Sequence, residues 1–170
     1  MRKYNKIIFV SEDNTATSLM AELICKSMVP DDTVTIESRG MVVLFPEPVN
    51  PKAEVVLINH GFQLEDRTAV MLDAQDVNEK TLILTMKMSQ RDRIMRTYGT
   101  IGNVFTMYGF IEEDKDMMDP YGGTLVEYEE CFATMSRVIK KIVIKLKKTY
   151  GLQDTEFMEM KGDANDSNWM

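Results

Sequence analysis

Eight consecutive residues carry most of the chemistry that this chain can offer. Ser11-Glu12-Asp13-Asn14-Thr15-Ala16-Thr17-Ser18 follows the apolar run Ile7-Ile8-Phe9-Val10 and precedes Leu19-Met20-Ala21-Glu22. A polar loop between a buried strand and a helix can aim several backbone N–H groups at one anion. The plainer reading is a strand-to-helix connector with Thr17 or Ser18 as the N-cap. Asp119-Pro120, with Gly122-Gly123 behind it, reads as a turn.

Other chemistry is scarce. Cys25 and Cys131 lie in apolar helical patterns and read as small core residues, not as a disulfide framework. One histidine, His60, cannot build a typical zinc site with two distant cysteines, so no metal and no cofactor is expected. The histidine belongs to the second helix and has no reason to reach Ser11. The balance of 20 basic to 27 acidic residues, a net charge of −7, argues against a nucleic-acid partner. No run of about 18 apolar residues is present, so no membrane span is expected. No secretory leader fits the first ten residues, which makes the cytoplasm the expected compartment.

The surrounding pattern supplies the scaffold. Ile7–Val10 reads as a strand buried on both faces. Leu19, Met20, Leu23, Ile24 and Met28 have helical spacing, ended by Pro30. Thr33–Ser38 alternates and is β-branched, and Gly40 punctuates it. Helical spacing resumes after Pro51 through Val55, Val56 and Ile58, with Gly61 as the cap. Thr81–Thr85 is a third strand, Ser89–Tyr98 a charged helix, and Val104–Met107 a fourth strand. A long helix from about Thr124 to Lys148 carries one apolar stripe: Tyr128, Cys131, Phe132, Met135, Val138, Ile139, Ile142 and Leu146. Alternating strands and helices imply an α/β fold with a four-stranded parallel sheet flanked by helices. Residues 1–150 read as one domain and 151–170 as an acidic, flexible tail tipped by Trp169.

Several blocks, in order across roughly residues 4–148, resemble the low-molecular-weight protein tyrosine phosphatases. That family's loop runs Cys, five residues, Arg, Ser, with Asn three after the Cys and Pro-Met-Ala-Glu following. Here Asn14, Ser18 and Met20-Ala21-Glu22 match it. Glu47-Pro48-Val49-Asn50-Pro51-Lys52-Ala53 looks like the family's Glu-Pro-Val-Asp-Pro-Arg-Ala, and Asn59-His60-Gly61-Phe62 like its segment before the third strand. Asp119-Pro120-Tyr121 looks like the motif that holds its general acid. The resemblance implies the family's three-layer fold, with Tyr121 lining the substrate cleft. Phe45 lies where the family keeps aromatics beside phosphotyrosine, although next to Pro46 it reads equally as core.

The departures bear on activity. By this resemblance Ser11 stands at the nucleophile position, Thr17 at the phosphate-gripping Arg and Ala16 at the second loop Cys. The His that braces the loop Asn falls near Asp66, and a following Arg at Ala69. A serine hydroxyl is a far weaker acid than a thiol and needs a base. Thr17 cannot replace a bidentate guanidinium. Glu12 and Asp13 would each repel a unit anion by up to ~3 kcal/mol at ~6 Å and an effective dielectric of ~20.

The expectation is therefore a pseudophosphatase that binds a protein partner, phosphorylated or not, and takes phosphate or sulfate at the loop only weakly. One alternative is residual hydrolysis through Ser11 or a water, with Asp119 as acid. Another is an Arg-free phosphate-binding module, because Thr17-Ser18-Leu19-Met20 also looks like the end of the loop in cysteine-phosphorylated sugar-transport subunits.

Overall fold

The computed structural model describes residues 4–30, 33–99 and 103–150. The expected tail and Trp169 lie outside the described residues.

Four parallel strands form one sheet. They are β1 (Lys6–Ser11), β2 (Thr35–Gly40), β3 (Thr81–Thr85) and β4 (Val104–Thr106), in the spatial order β2-β1-β3-β4. Helices α1 (Thr17–Met28), α2 (Pro51–Asn59), α3 (Met88–Tyr98), α4 (Met107–Phe110) and α5 (Leu125–Tyr150) cover the two faces. Alternation along β1 divides the core. Ile7 and Phe9 pack with α1, α2 and α5, while Ile8 and Val10 pack with Ile83, Ile94 and Val104 toward α3. Both faces are covered, which is why the strands read as continuous apolar runs. Among the described residues, no helix is long and apolar enough to cross a membrane.

Local chemistry sets the element ends. Val29 is extended ahead of Pro30 and stops α1. Pro51 opens α2, and the Asn50 side chain accepts the N–H groups of Lys52 and Ala53. Gly61, at φ +86°, follows its C-terminal end. The whole expected stripe of α5, from Tyr128 to Leu146, is buried.

Three expectations change in detail. The second strand runs two residues later than Thr33–Ser38, because Gly40 still pairs in register with Ser11. Gly40 is thus the end of the strand and not its punctuation. On α2 the buried face is Ala53, Val56 and Leu57, while Val55 and Ile58 are exposed. Neither Thr17 nor Ser18 caps α1. Ala16 holds the cap position without a side-chain hydrogen bond, and both hydroxyl residues lie inside the first turn. Their side chains are drawn inward and buried, so they are not placed as caps.

Candidate functional site

The loop of residues 12–16 joins the end of central strand β1 to α1, so it sits outside the carboxyl edge of the sheet. Ligands of open α/β sheets bind at that edge. Its shape rests on Asn14, which adopts φ +62°. Asparagine tolerates this left-handed conformation better than most residues. The Asn14 Nδ2 donates to Ser18 Oγ at 2.8 Å and to Ser38 Oγ at 3.0 Å. Its Oδ1 accepts the Val70 N–H at 3.0 Å. Gly40 lets the loop approach β2: a Cβ there would lie 2.9 Å from the Asp13 carbonyl carbon and 3.1 Å from the Asn14 nitrogen. The N–H groups of Met41 and Val42 then bond the carbonyls of Ser11 and Glu12.

Ser11 is buried at the end of β1. Its Oγ lies 2.7 Å from Ser18 Oγ and accepts the Asn14 N–H at 3.1 Å. Neither partner is a base. Asp13 turns into its own loop, where Oδ1 accepts both the N–H and the hydroxyl of Thr15 at 3.0 and 2.8 Å. One loop donor is thereby taken by an internal carboxylate. Thr17, at the start of α1, is also buried.

A cleft of about 220 Å³ brings together Ser11, Glu12, Asp13, Thr15, Ala16 and Thr17 with Asp119, Tyr121 and Tyr128. Most of the residues expected from sequence therefore meet at one place. Asn14 and Ser18 serve the loop as its internal braces, through the hydrogen bonds given above. Phe45 is not core, because the loop after β2 swings outward and leaves it 61% exposed. It lines a neighbouring groove of about 580 Å³ with Asp13, Thr15 and Tyr121.

The electrostatics correct one expectation. Glu12 is not a bare charge, because Arg93 on α3 donates to both its carboxylate oxygens at 3.0 and 3.2 Å. Asp119 is likewise faced by Lys87 Nζ at 3.5 Å, while its Oδ1 accepts the Tyr121 N–H. Lys52 reaches the Gly123 carbonyl and ties α2 to the Asp119 loop. The positions matched to Asp66 and Ala69 do not brace the loop. Asp66 is exposed and Ala69 buries its methyl, and the neighbouring Val70 N–H takes the bracing role.

Sequence reasoning gave no role to Glu22, yet this carboxylate is fully buried behind the loop. It accepts from Ser38 at 2.8 Å, Lys26 at 2.8 Å and Arg67 at 2.6 and 2.7 Å. Burial alone would raise its pKa. The donors from Arg67, Lys26 and Ser38, with the Arg67 charge, outweigh burial and hold it below the usual carboxylate value. The available signal was a carboxylate one helical turn after Ser18 on an otherwise apolar face. Tyr128, also passed over as core, lines the cleft, and burial together with the Asp119 and Asp13 charges raises its phenol pKa.

The remaining titratable candidates lie elsewhere. His60 ends α2, pairs with Glu129 at 2.8 Å and stacks on Phe132 at 3.9 Å. Cys25 and Cys131 are buried, and desolvation pushes both thiols up to about 12. Among the described residues, no group of three His, Cys, Asp or Glu side chains is placed to hold a metal.

Comparison with known proteins bears on the family and the fold. The sequence profile of the family described as low molecular weight phosphotyrosine protein phosphatase matches residues 6–152. The low molecular weight protein-tyrosine-phosphatase PtpB of Staphylococcus epidermidis is 32% identical over 140 residues, 82% of this chain and 98% of that one. The Staphylococcus aureus PtpB is 30% identical over 137 residues, covering 81% and 96%. Among solved structures, a cysteine-to-serine mutant of YwlE arginine phosphatase with a phosphorylated active-site serine superposes with a TM-score of 0.78. It is 26% identical, over 85% of this chain and 97% of that one. The low molecular weight protein tyrosine phosphatase of T. tengcongensis gives a TM-score of 0.76 at 28% identity, over 82% and 98%.

Proposed function

Given that this chain belongs to the low molecular weight phosphotyrosine protein phosphatase family, we propose that it keeps the family scaffold as a binding surface and does not turn over phosphomonoesters. The observation that carries this reading is the set of partners around Ser11. Its hydroxyl is met by another hydroxyl and a backbone N–H and, among the described residues, by no base. A serine without a base is a poor nucleophile at neutral pH. The two thiols are buried inside helices and bound to their protons, so neither substitutes for it.

Anion capture is weak for related reasons. Thr17 offers one hydroxyl where a guanidinium would form two charge-assisted bonds. Arg93 and Lys87, which approach the cleft's carboxylates, are held by Glu12 and Asp119. The Thr15 N–H is held by Asp13. Phosphate or sulfate at this loop must compete with all three. A protein partner in the cytoplasm suits the reading, supported by two buried and unpaired cysteines.

The test is hydrolysis of p-nitrophenyl phosphate by wild type and by Ser11→Ala. Equal background rates support the reading. Turnover that disappears in Ser11→Ala overturns it.

One observation favours a second reading, residual phosphoryl transfer. In the YwlE mutant a serine at this kind of site carries phosphate. Ser11 would then accept a phosphoryl group, with Asp119 protonating the leaving group. This version requires Asp119→Asn to slow the reaction by ~10²-fold. Equal rates in wild type and Asp119→Asn remove it. Calorimetry with vanadate separates both from an Arg-free phosphate module, which requires millimolar or tighter binding without turnover, whereas no heat supports the binding-protein reading.

A further inference from the structure

The loop cleft and the larger groove share Asp13, Thr15 and Tyr121, so they form one continuous depression. Its outer part is apolar. Leu44 is 88% exposed, Phe45 61% and Tyr121 79%, and all three line the same groove. Large apolar side chains gathered at one concave site mark a binding surface.

Its charge is the opposite of a phosphate site. Glu12 and Asp119 are already matched by Arg93 and Lys87. Asp13 and Glu47 also line the groove, and among the described residues neither forms an ion pair. The unmatched charge facing the groove is therefore negative. An acidic or phosphorylated segment would be repelled, and a cation would be attracted by the Asp13 and Glu47 charges, beside the apolar side chains.

We propose that this depression docks an unphosphorylated basic segment of a partner protein, with an arginine or lysine directed at Asp13 and Glu47 and its apolar neighbours resting on Leu44, Phe45 and Tyr121. The inference rests on the binding-protein reading above and names the chemistry of its partner. Arginine suits the site best, because its planar fork can pair with a carboxylate and lie against an aromatic ring.

The experiment is fluorescence polarisation with a fluorescein-labelled peptide of alternating leucine and arginine. Companion peptides replace arginine by glutamine or carry phosphotyrosine. The arginine peptide should bind saturably, at least about ten-fold tighter than the glutamine version. Asp13→Asn combined with Glu47→Gln should weaken it about ten-fold. Leu44→Ser combined with Phe45→Ser should weaken it as much, while Glu79→Gln at the far end of the sheet should not.

Equal affinity for the arginine and glutamine peptides overturns the proposal. So does preference for the phosphotyrosine peptide, or indifference to both double variants. A self-association that the Leu44 and Phe45 changes abolish also overturns it, because the occupant would then be a second copy. Parallel p-nitrophenyl phosphate assays keep the two readings apart. Turnover sinks the binding-protein reading, whereas no turnover with no peptide preference sinks this inference alone.

Discussion

Asn14 and Val70, 56 positions apart, are joined by a hydrogen bond of 3.0 Å from the Val70 N–H to the Asn14 Oδ1. The same asparagine reaches Ser18 and Ser38 through its amide nitrogen. One buried side chain at positive φ thus ties the loop to α1, to β2 and to the segment that follows α2.

Asn14→Ala should therefore cost about 2–4 kcal/mol, from three lost hydrogen bonds and a conformation that alanine disfavours. Urea unfolding of the two proteins measures it. A loss under about 1 kcal/mol would mean that the loop is held by other contacts.

Gly40→Ala should cost about 1–3 kcal/mol, by forcing the Asp13–Asn14 backbone and Val43 away from β2. The check is the thermal midpoint, together with near-ultraviolet circular dichroism. An unchanged midpoint would show that the loop gives way freely.

On the binding-protein reading, adding a thiol and a guanidinium to the loop should create activity. Ser11→Cys with Thr17→Arg places a thiol and a guanidinium where Ser11 Oγ and the Thr17 side chain now meet the cleft. The double variant should hydrolyse p-nitrophenyl phosphate, and each single variant should stay near background. Activity in Ser11→Cys alone would show that the loop N–H groups and Arg93 suffice to hold the ester.

Glu22 predicts a pH dependence. Its pKa is lowered from 4.5 on folding, so the unfolded chain binds this proton more readily than the native one. The stabilisation is complete above pH 4.5 and fades as the pH falls through the native value. Glu22→Gln should lower stability at pH 7 by about 2 kcal/mol and flatten the acid limb of a stability profile. An acid limb that is identical in both proteins would assign it to other carboxylates.

The fold was legible because its signals are local. Ile7–Val10 and Thr81–Thr85 are apolar runs, Pro30 and Gly61 stop helices, and the α5 stripe repeats with the helical period. Each depends on neighbours within a few residues. The ends of β2 and the buried face of α2 were less legible, since Gly40 and Ala53 take their places from partners on other elements.

The loop residues were also legible, as one contiguous segment before a helix, whereas their electrostatic setting was not. Glu12 and Arg93 are 81 positions apart, Lys87 and Asp119 32, and Glu22 and Arg67 45. Nothing in local spacing announces such pairs.

By itself the sequence determined the parallel α/β scaffold, the place of the loop and the identities of Ser11 and Thr17. Those follow from residue type and short-range periodicity. Only the tertiary structure decided which charges around the loop are already matched, and that Phe45 faces solvent beside Leu44 and Tyr121. The physical reason is range. Backbone preference acts along the chain, while charge pairing and burial act through space, between residues that the sheet order alone makes neighbours.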